Sequence, residues 1–168
     1  MLDQKLHVLR DEQGRFADRA RAALVVWRDK HAEAQRLVLR AVVLDGRGAL
    51  AVGQGPPAEL TVSWAATVGV RHPVSAHLTL PDREQPPSAA AILARHAVAD
   101  AARAAVAYAV AAWALRAIET ELRVTALRVR SLRQHWLPRL TDALATVELE
   151  LEEQERAETV RRRWARVR

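Results

Sequence analysis

The chain has 168 residues, of which 50% are hydrophobic, 27% are charged and only 4% are aromatic. This composition is too apolar for a disordered protein and too charged for one embedded in a membrane. The absence of cysteine excludes a disulfide scaffold, a thiolate metal site and a cysteine nucleophile. A net charge of +6 is compatible with binding to nucleic acid. The 20 acidic residues are interleaved with the 26 basic ones, however, which dilutes the positive charge along the chain. We expect a soluble, helical, cytoplasmic protein.

The N-terminal segment carries apolar side chains at alternating spacings of three and four residues, which is the pattern of a coiled-coil helix. No proline interrupts the pattern, and Gly14 is its only weak point. The pattern stops at Asp45 and Gly46, so we predict a helix from Leu2 to Leu44. The predicted seam on this helix consists of Leu2, Leu6, Leu9, Phe16, Trp27, Leu37 and Leu44.

The next segment, residues 46–87, begins as a glycine- and proline-rich loop and then changes to a period of two. Apolar and polar residues alternate from Leu60 to Leu80, on both sides of a predicted turn at residues 65–67. This alternation predicts a β-hairpin with one apolar face. Because an isolated hairpin is marginally stable in water, we expect that face to rest on a helix or on a partner.

Residues 88–116 are rich in alanine and follow a break that contains several prolines. Ser88 comes directly after two prolines, so we predict that it is the N-cap of a short Ala-rich helix beginning at Ala89. This helix either continues or bends near residues 111–117 into the last segment. Its small side chains favour tight packing within the chain over a binding groove.

The last segment, residues 117–168, returns to the heptad pattern. Consecutive spacings of four interrupt the pattern near Pro138, and such a stutter locally unwinds a supercoil. Because proline also lacks a backbone N–H, we predict a helix bend or loosened hydrogen bonding at Pro138. The predicted seam on this helix consists of Leu122, Val129, Leu132, Trp136, Leu140, Leu144, Val147 and Leu151. Glutamate–arginine pairs at i,i+4 spacing are expected at residues 119 and 123, 152 and 156, and 158 and 162.

The predicted fold is mainly α: a long antiparallel two-helix coiled coil, with a β-hairpin and a short Ala-rich helix inserted between the long helices. The whole chain would form one elongated domain made of residues 1–45, 46–87, 88–116 and 117–168. In a one-to-one pairing with Leu44 next to Leu115, Leu2 would reach the neighbourhood of Glu155. The tail from about Arg156 would then have no partner within the chain.

The sequence offers no arrangement typical of an active site. The six histidines form no close ligand pair with a carboxylate on one helical face, and the glycines lack the setting of a phosphate loop. The glutamates between residues 148 and 158 scatter around a helix, so we interpret them as a solvated surface. We therefore predict no catalytic residue, no cofactor and no metal site.

The order of elements and several motifs resemble the D subunit of V/A-type rotary ATPases, which is the central rotor shaft. Near the C-terminus, the sequences at residues 128–132 and 136–140 are similar to the family's R-V-N-A-L-E and I-P-R-L stretches, and residues 151–158 are similar to its L-E-E-x-E-R-x-E run. Residues 2–6 and 69–73 are similar to its L-L-x-x-K and V-x-V-P motifs. Arg130 and Arg133 stand where the family usually has Asn and Glu. Met1 lies almost on the first motif, so the resemblance suggests an N-terminally short version.

The resemblance implies a non-catalytic central-stalk subunit that couples ATP hydrolysis or synthesis in a catalytic hexamer to ion transport through a membrane ring. The implied partners are the catalytic and regulatory A and B subunits, the F subunit of the stalk and a socket subunit above the membrane ring. No nucleic acid and no direct membrane insertion are expected, and the protein would lie in the cytoplasm, peripheral to the membrane. The implied hexamer-facing tip contains Arg156, Arg161, Arg162, Arg163 and Trp164.

Two other functions remain open at the level of the sequence. The chain could be a free-standing coiled-coil scaffold derived from a shaft subunit, which an isolated gene would favour. It could also be a basic coiled coil that associates with nucleic acid, but this needs arginines clustered on one face, and only the tail offers such a cluster.

Overall fold

The computed structural model describes residues 2–46, 57–81 and 88–165. The elements are α1 (Leu2–Asp45), β1 (Glu59–Thr67), β2 (Val70–Thr79), α2 (Ala89–Ser131), a π-helical segment (Leu132–Trp136) and α3 (Leu137–Ala165). Most of the predicted loop after residue 46, the break before residue 88 and the side chain of Leu2 lie outside the described residues. The chain divides between residues 123 and 124 into two compact units.

Helix α1 confirms the helix predicted for the N-terminal segment, with the same start and an end one residue later. The helix stops at Gly46, which adopts a left-handed backbone conformation with φ +74°. Its N–H donates to the carbonyl of Val42 at 2.9 Å, so one of the free carbonyls at the helix end gains a partner.

Helix α2 begins where the sequence predicts. The Ser88 hydroxyl oxygen accepts a hydrogen bond from the N–H of Ala91 at 3.1 Å, which confirms the N-cap, and the same hydroxyl donates to the carboxylate of Asp45. The separate short Ala-rich helix is wrong, because α2 continues without interruption to Ser131. Neither glycine nor proline occurs between Ala89 and Ser131, so nothing in the backbone ends the helix near residue 116.

Helices α1 and α2 pack against each other in antiparallel orientation. Trp27 of α1 stacks on Tyr108 of α2 with ring centroids 5.6 Å apart, while Asp45 at the end of α1 meets Ser88 at the start of α2. Alanine side chains are buried along both helices, and their small size lets the two backbones come close. The expectation that the alanines pack within the chain is therefore confirmed. The buried alanines are Ala20, Ala34, Ala41, Ala91, Ala94, Ala101 and Ala114.

The register of this helix pair differs from the predicted one. The prediction placed Leu44 next to Leu115 and the N-terminus next to Glu155, whereas the ammonium group of Lys5 lies 2.6 Å from the carboxylate of Glu121. The Ala-rich stretch and the first heptad residues after it, Ile118 and Leu122, are the neighbours of α1. The heptad pattern identified buried residues of α1 at Leu6, Leu9 and Phe16, but a periodic pattern does not specify which turn of one helix faces which turn of the other.

The hairpin of β1 and β2 is antiparallel and has the predicted apolar face. Leu60 pairs with Leu78 and Val62 with Ala76, and directly paired residues point to the same side of a sheet. The turn is at Val68 and Gly69, with φ +54° and +79°, so the predicted turn at residues 65–67 is wrong. A two-residue hairpin turn of this kind needs positive φ at both positions, and glycine meets that need without steric cost.

A β-bulge interrupts the pairing in the middle of the hairpin. Ser63 pairs with Ser75 and Trp64 pairs with Pro73, which leaves Val74 as an extra residue in β2. Proline cannot donate a hydrogen bond to the neighbouring strand, and bulges are among the few places in a sheet that tolerate it. Because the extra residue reverses the alternation of β2, Val70 and His72 point to the opposite side of the sheet from Ala76 and Leu78.

The second unit begins within α2 and contains a π-helical segment directly before Pro138. In this segment, which spans Leu132–Trp136, the N–H of the following Leu137 donates to the carbonyl of Leu132, one residue further back than in an α-helix. The loosened hydrogen bonding predicted near Pro138 is therefore confirmed, whereas the helix bend stays a prediction. The wider turn accommodates both the stutter in the apolar pattern and the missing N–H.

Helix α3 is exposed along its described length, and none of its residues up to Ala165 is buried. Two of the predicted ion pairs are confirmed, because Arg156 lies 3.1 Å from Glu152 and Arg162 lies 3.1 Å from Glu158. The pair predicted between residues 119 and 123 takes a different form. Glu119 accepts a hydrogen bond from Gln13 at 3.5 Å, and Arg123 donates to the Thr120 hydroxyl at 3.3 Å.

The first prediction concerns the core between the helices. Leu9 is fully buried, so Leu9→Ala should lower the free energy of unfolding by about 2–4 kcal/mol, because it leaves a cavity. Leu39→Ala is the matched control and should change it by less than about 0.5 kcal/mol, because Leu39 is 65% exposed. The sequence predicts the same large loss for Leu132→Ala, but Leu132 is 41% exposed and a smaller loss is now expected. Urea denaturation measures all three, and equal losses for Leu9 and Leu39 would contradict the packing.

The second prediction concerns two glycines with opposite roles. Gly69→Ala should destabilise the protein by about 1–2 kcal/mol, because an alanine is strained at positive φ. Gly14→Ala should stabilise it by up to about 1 kcal/mol, because Gly14 lies within α1 and a methyl group there would meet nothing within 4 Å. Melting temperatures of the two variants should therefore shift in opposite directions, and a shift of the same sign would contradict this assignment.

Candidate functional site

The hairpin turn rests on the helix pair at the main apolar core. Buried side chains from both helices form this core, and Val68 and Val70 of the hairpin pack against it. The hairpin therefore rests on the helices at its turn, but Leu60 of the predicted apolar face is 53% exposed, so the expectation that this face rests on a helix is confirmed only near the turn. The buried core residues are Leu9, Phe16, Ala114 and Ile118, with Leu115 and Leu122 packed beside them.

His72 completes the contact between the hairpin and α1. Its buried ring meets the ring of Phe16 edge-on, with centroids 4.9 Å apart. Nδ1 lies 3.1 Å from the carbonyl oxygen of Pro73, and a carbonyl can only accept, so Nδ1 carries the proton. Nε2 lies 2.9 Å from the Thr67 hydroxyl, which can donate to it or accept from it. Sequence reasoning did not identify His72 as a core residue, although it shares a spacing of two with Val70 and Val74, which belong to the apolar face of the predicted strand.

An aromatic surface lies beside this core, where the strand face that carries Trp64 meets α2. Trp64 of β1 meets Trp113 of α2 edge-on at 5.1 Å, and the Arg71 guanidinium lies 4.9 Å above the Trp64 ring. Both tryptophans remain about half exposed. Trp113 and Arg71, together with Arg116 and Thr120, border an open groove of about 470 Å³. Such a surface suits contact with another protein, since it offers apolar area and guanidinium groups but no nucleophile–base pair.

Polar contacts across the helix pair fix its register. The Lys5–Glu121 ion pair is partly buried, and the Gln13 amide donates to Glu119 further along α1. Among the described residues, no group of three or more histidine and acidic side chains could hold a metal ion. Every buried side-chain nitrogen and oxygen in the described part has a hydrogen-bond partner, so the core contains no orphaned polar atom aimed at a ligand.

The predicted seam residues of α1 lie at different depths. Leu6, Leu9 and Phe16 are buried, Trp27 and Leu37 are half-buried, and Leu44 is exposed. The large seam side chains are therefore buried at the end of α1 that faces the hairpin turn, whereas the buried residues nearer the other end are Ala34 and Ala41.

The predicted seam residues of the C-terminal helices are mostly exposed. Leu122 and Val129 are half-buried, but the remaining members are exposed, and Pro138 is exposed as well. The exposed members are Leu132, Trp136, Leu140, Leu144, Val147 and Leu151. Their assignment to a coiled-coil seam stays a prediction.

The predicted tip residues are all exposed. Arg156 and Arg162 form the ion pairs described above, and Trp164 is 76% exposed. The tip is completed by Arg161 and Arg163. A large exposed indole among guanidinium groups is typical of a protein contact surface, but the role of these residues stays a prediction.

The helical stretch Ala89–Ala165 contains one window that is long and apolar enough to cross a membrane, judged by length and composition in the described residues. These two properties are weak evidence, because a core helix meets the same criteria. Only 11% of that window is buried, although Ala91, Ala94, Ala101 and Ala114 of the same stretch are buried residues.

The comparison with known families decides the identity of this chain. The family of the ATP synthase D subunit matches residues 1–167. This chain belongs to the ATP synthase D-subunit family. No curated protein matches it individually. The D subunit is a non-catalytic stalk component of rotary ATPases, so family membership agrees with a structure in which helix packing and exposed surfaces are the prominent features.

Membership of the D-subunit family also changes how the described surfaces are interpreted. A stalk component acts within a rotary ATPase complex, at the periphery of the membrane. The functional features of such a protein are the contacts that keep its helices together and the surfaces that meet other subunits. The core under the hairpin turn belongs to the first group, and the aromatic surface and the exposed faces of α3 are candidates for the second.

The third prediction tests the register of the helix pair in this D-subunit family member. In a double-mutant cycle, Lys5→Met and Glu121→Gln should show a coupling free energy of about 0.5–1 kcal/mol, because the two side chains form a partly exposed ion pair. Lys5→Met combined with Asp18→Asn is the control and should be additive, since Asp18 pairs with Arg21 instead. Chemical denaturation at low salt measures the coupling. Additive effects for Lys5 and Glu121 would contradict the register.

Proposed function

We propose that this protein is the rotor shaft of a V/A-type ATPase or ATP synthase. In this role it couples ATP hydrolysis or synthesis in the catalytic hexamer to ion transport through the membrane ring. The observation that carries the proposal is the match to the D-subunit family over residues 1–167. The fold supports it, because two long packed helices with a hairpin between them have the layout expected of a shaft.

The packing of α1 on α2 supports a mechanical role. A single helix bends and twists easily, whereas two helices joined along their lengths resist both because bending would shear their contacts. Small buried alanines bring the helices close, and the Lys5–Glu121 and Asp45–Ser88 contacts join the pair near its two ends. A shaft that transmits torque needs this resistance to shear.

The exposed surfaces support the proposed partners. These are the A and B subunits of the hexamer, the F subunit of the stalk and the socket subunit above the membrane ring. The arginines and Trp164 at the end of α3 form the proposed hexamer-facing tip, because guanidinium groups bind carboxylates and an indole buries a large apolar area. The proposed location is the cytoplasmic side of the membrane, and no direct membrane insertion is involved.

The fourth prediction tests this function by co-expression with the A, B and F subunits encoded in the same genome. The wild-type chain should co-purify with them in a complex that hydrolyses ATP. The triple variant Arg161→Glu, Arg162→Glu and Arg163→Glu should weaken binding to the hexamer by at least about tenfold, because it reverses the charge of the tip. Affinity capture with quantitative mass spectrometry measures the complex, and proton or sodium uptake by vesicles measures coupling.

The matched control reverses three exposed arginines of α1 with Arg28→Glu, Arg36→Glu and Arg40→Glu. This variant should bind the hexamer as the wild type does if the tip is the contact. Equal losses for both variants would indicate a general charge effect and contradict the tip. Failure of the wild-type chain to bind any of the three subunits would contradict the shaft function and favour the free-standing scaffold.

A further inference from the structure

Two half-exposed tryptophans lie at the groove beside the hairpin turn. Trp64 and Trp113 are 44% and 49% exposed, although the main core lies next to them. The edge-on contact between their rings holds both side chains in place. A large aromatic side chain that is exposed and already ordered is typical of the centre of a protein interface, because it buries much area at little cost in entropy.

The groove is formed by parts of the chain that are already packed. Gly69 and Val70 of the hairpin turn line it on one side, and Val70 also packs against the main core. Helix α2 lines it on the other side. A partner would therefore bind a surface that needs little rearrangement, and preorganisation of this kind increases affinity.

The groove uses a face of α2 that α1 does not cover. Trp113, Arg116 and Thr120 line the groove and follow one another at spacings of three and four residues. Ala114 and Ile118 belong to the core shared with α1. Because a helix advances by roughly 100° per residue, these two sets lie on different faces of α2. The groove therefore lies to the side of the helix pair, and α1 does not compete for it.

The groove is positively charged. Arg71 and Arg116 both line it, and neither guanidinium forms an ion pair within the described residues. Glu121 also lines the groove, but its carboxylate is already paired with the ammonium group of Lys5 at 2.6 Å. A guanidinium presents a planar fork of N–H donors that matches a carboxylate. The groove therefore favours an acidic group beside an apolar one.

The geometry of the aromatic pair favours a peptide over a nucleic acid. A base binds by stacking on the open face of a ring. The Arg71 guanidinium covers one face of the Trp64 ring at 4.9 Å, and Trp113 meets that ring at an interplanar angle of 82°. The two indoles form an angular corner, which suits a bulky side chain better than a flat base.

We propose that this groove binds an acidic peptide segment of a partner protein. A large apolar side chain of the segment packs against Trp64 and Trp113, and a carboxylate within a few positions of it pairs with Arg71 and Arg116. The inference goes beyond the proposed shaft function, because it concerns the first unit alone and does not depend on which complex contains the chain. The tip proposed to face the hexamer lies on α3, in the other unit, so the two surfaces are tested by different experiments.

The experiment selects random seven-residue peptides, displayed on phage, against the immobilised full-length chain. Peptides that carry Asp or Glu within three positions of Phe, Trp or Leu should be enriched. The double variant Arg71→Gln with Arg116→Gln should lose this enrichment. The matched control is Arg36→Gln with Arg40→Gln, which removes two exposed arginines of α1 and should retain it.

The most enriched peptide is then synthesised with a fluorescent label, and its dissociation constant is measured by anisotropy. The double variant Arg71→Gln with Arg116→Gln should raise the constant at least about tenfold, because it removes both guanidiniums. Changing the acidic residues of the peptide to amides should have a similar effect. The two changes together should cost less than the product of their separate effects, because they remove the same contacts.

Nuclear magnetic resonance locates the bound peptide, because the indole N–H of each tryptophan gives its own signal. The signals of Trp64 and Trp113 should shift on addition of the peptide, whereas those of Trp27, Trp136 and Trp164 should not. Trp113→Leu should also weaken binding several-fold, because it removes one side of the aromatic corner. Circular dichroism should show unchanged helix content in every variant.

Four results would overturn the proposal. The first is selection without enrichment of acidic and apolar residues, and the second is equal binding by the double arginine variant. The third is a set of indole shifts that leaves Trp64 and Trp113 unchanged. The fourth is a different occupant, shown by shifts of these two signals with single-stranded DNA in place of the peptide, or with rising concentration of the chain alone. None of these results bears on co-purification with the A, B and F subunits, so the proposal and the shaft function fail or succeed separately.

Discussion

The close contact between α1 and α2 is the constraint on which the first unit depends. Alanines line much of this contact, so the helices approach closely at the cost of little conformational entropy on burial. At one end the alanines give way to Leu9, Phe16 and Ile118, which together form an apolar core. That core supports the hairpin turn, and a two-stranded hairpin would be marginally stable without it. A loss of the helix contact would therefore remove the hairpin as well.

The hairpin shows how tertiary packing stabilises strained local structure. Val68 adopts positive φ, which is unfavourable for a β-branched residue, yet its side chain packs against the core. His72 brings a polar ring into the same region and has both ring nitrogens hydrogen-bonded, so its burial leaves no unsatisfied group. The bulge at Val74 accommodates Pro73 and places Val70 and His72 on the side of the sheet opposite Ala76. Each deviation from regular geometry lies where the helices or the hydrogen bonds compensate for it.

The second unit has the opposite character, because its described residues beyond 129 bury nothing. Its helix retains local ion pairs such as Glu152–Arg156, which stabilise a helix only slightly. In a stalk protein, which has no chemistry of its own to perform, exposed apolar and charged faces are the functional parts. Two such exposed faces are the aromatic surface at Trp64 and Trp113 and the apolar side chains of α3 around Leu144. They differ in that the first lies beside an open groove and the second is a continuous helical face.

The sequence by itself determined the elements whose causes are local. The end of α1 at Asp45 before Gly46, the N-cap at Ser88 and the disturbance before Pro138 follow from capping, backbone geometry and apolar period. The motifs near the C-terminus were also sufficient to identify the family. The tertiary structure alone decided the position of the hairpin turn, the continuity of α2 and the partner of α1. Because the apolar pattern repeats along the chain, several helical stretches could pack against α1 equally well as judged from the sequence. The stretch that does so is selected by three contacts together: the packing of the alanines, the core under the hairpin and the Lys5–Glu121 ion pair.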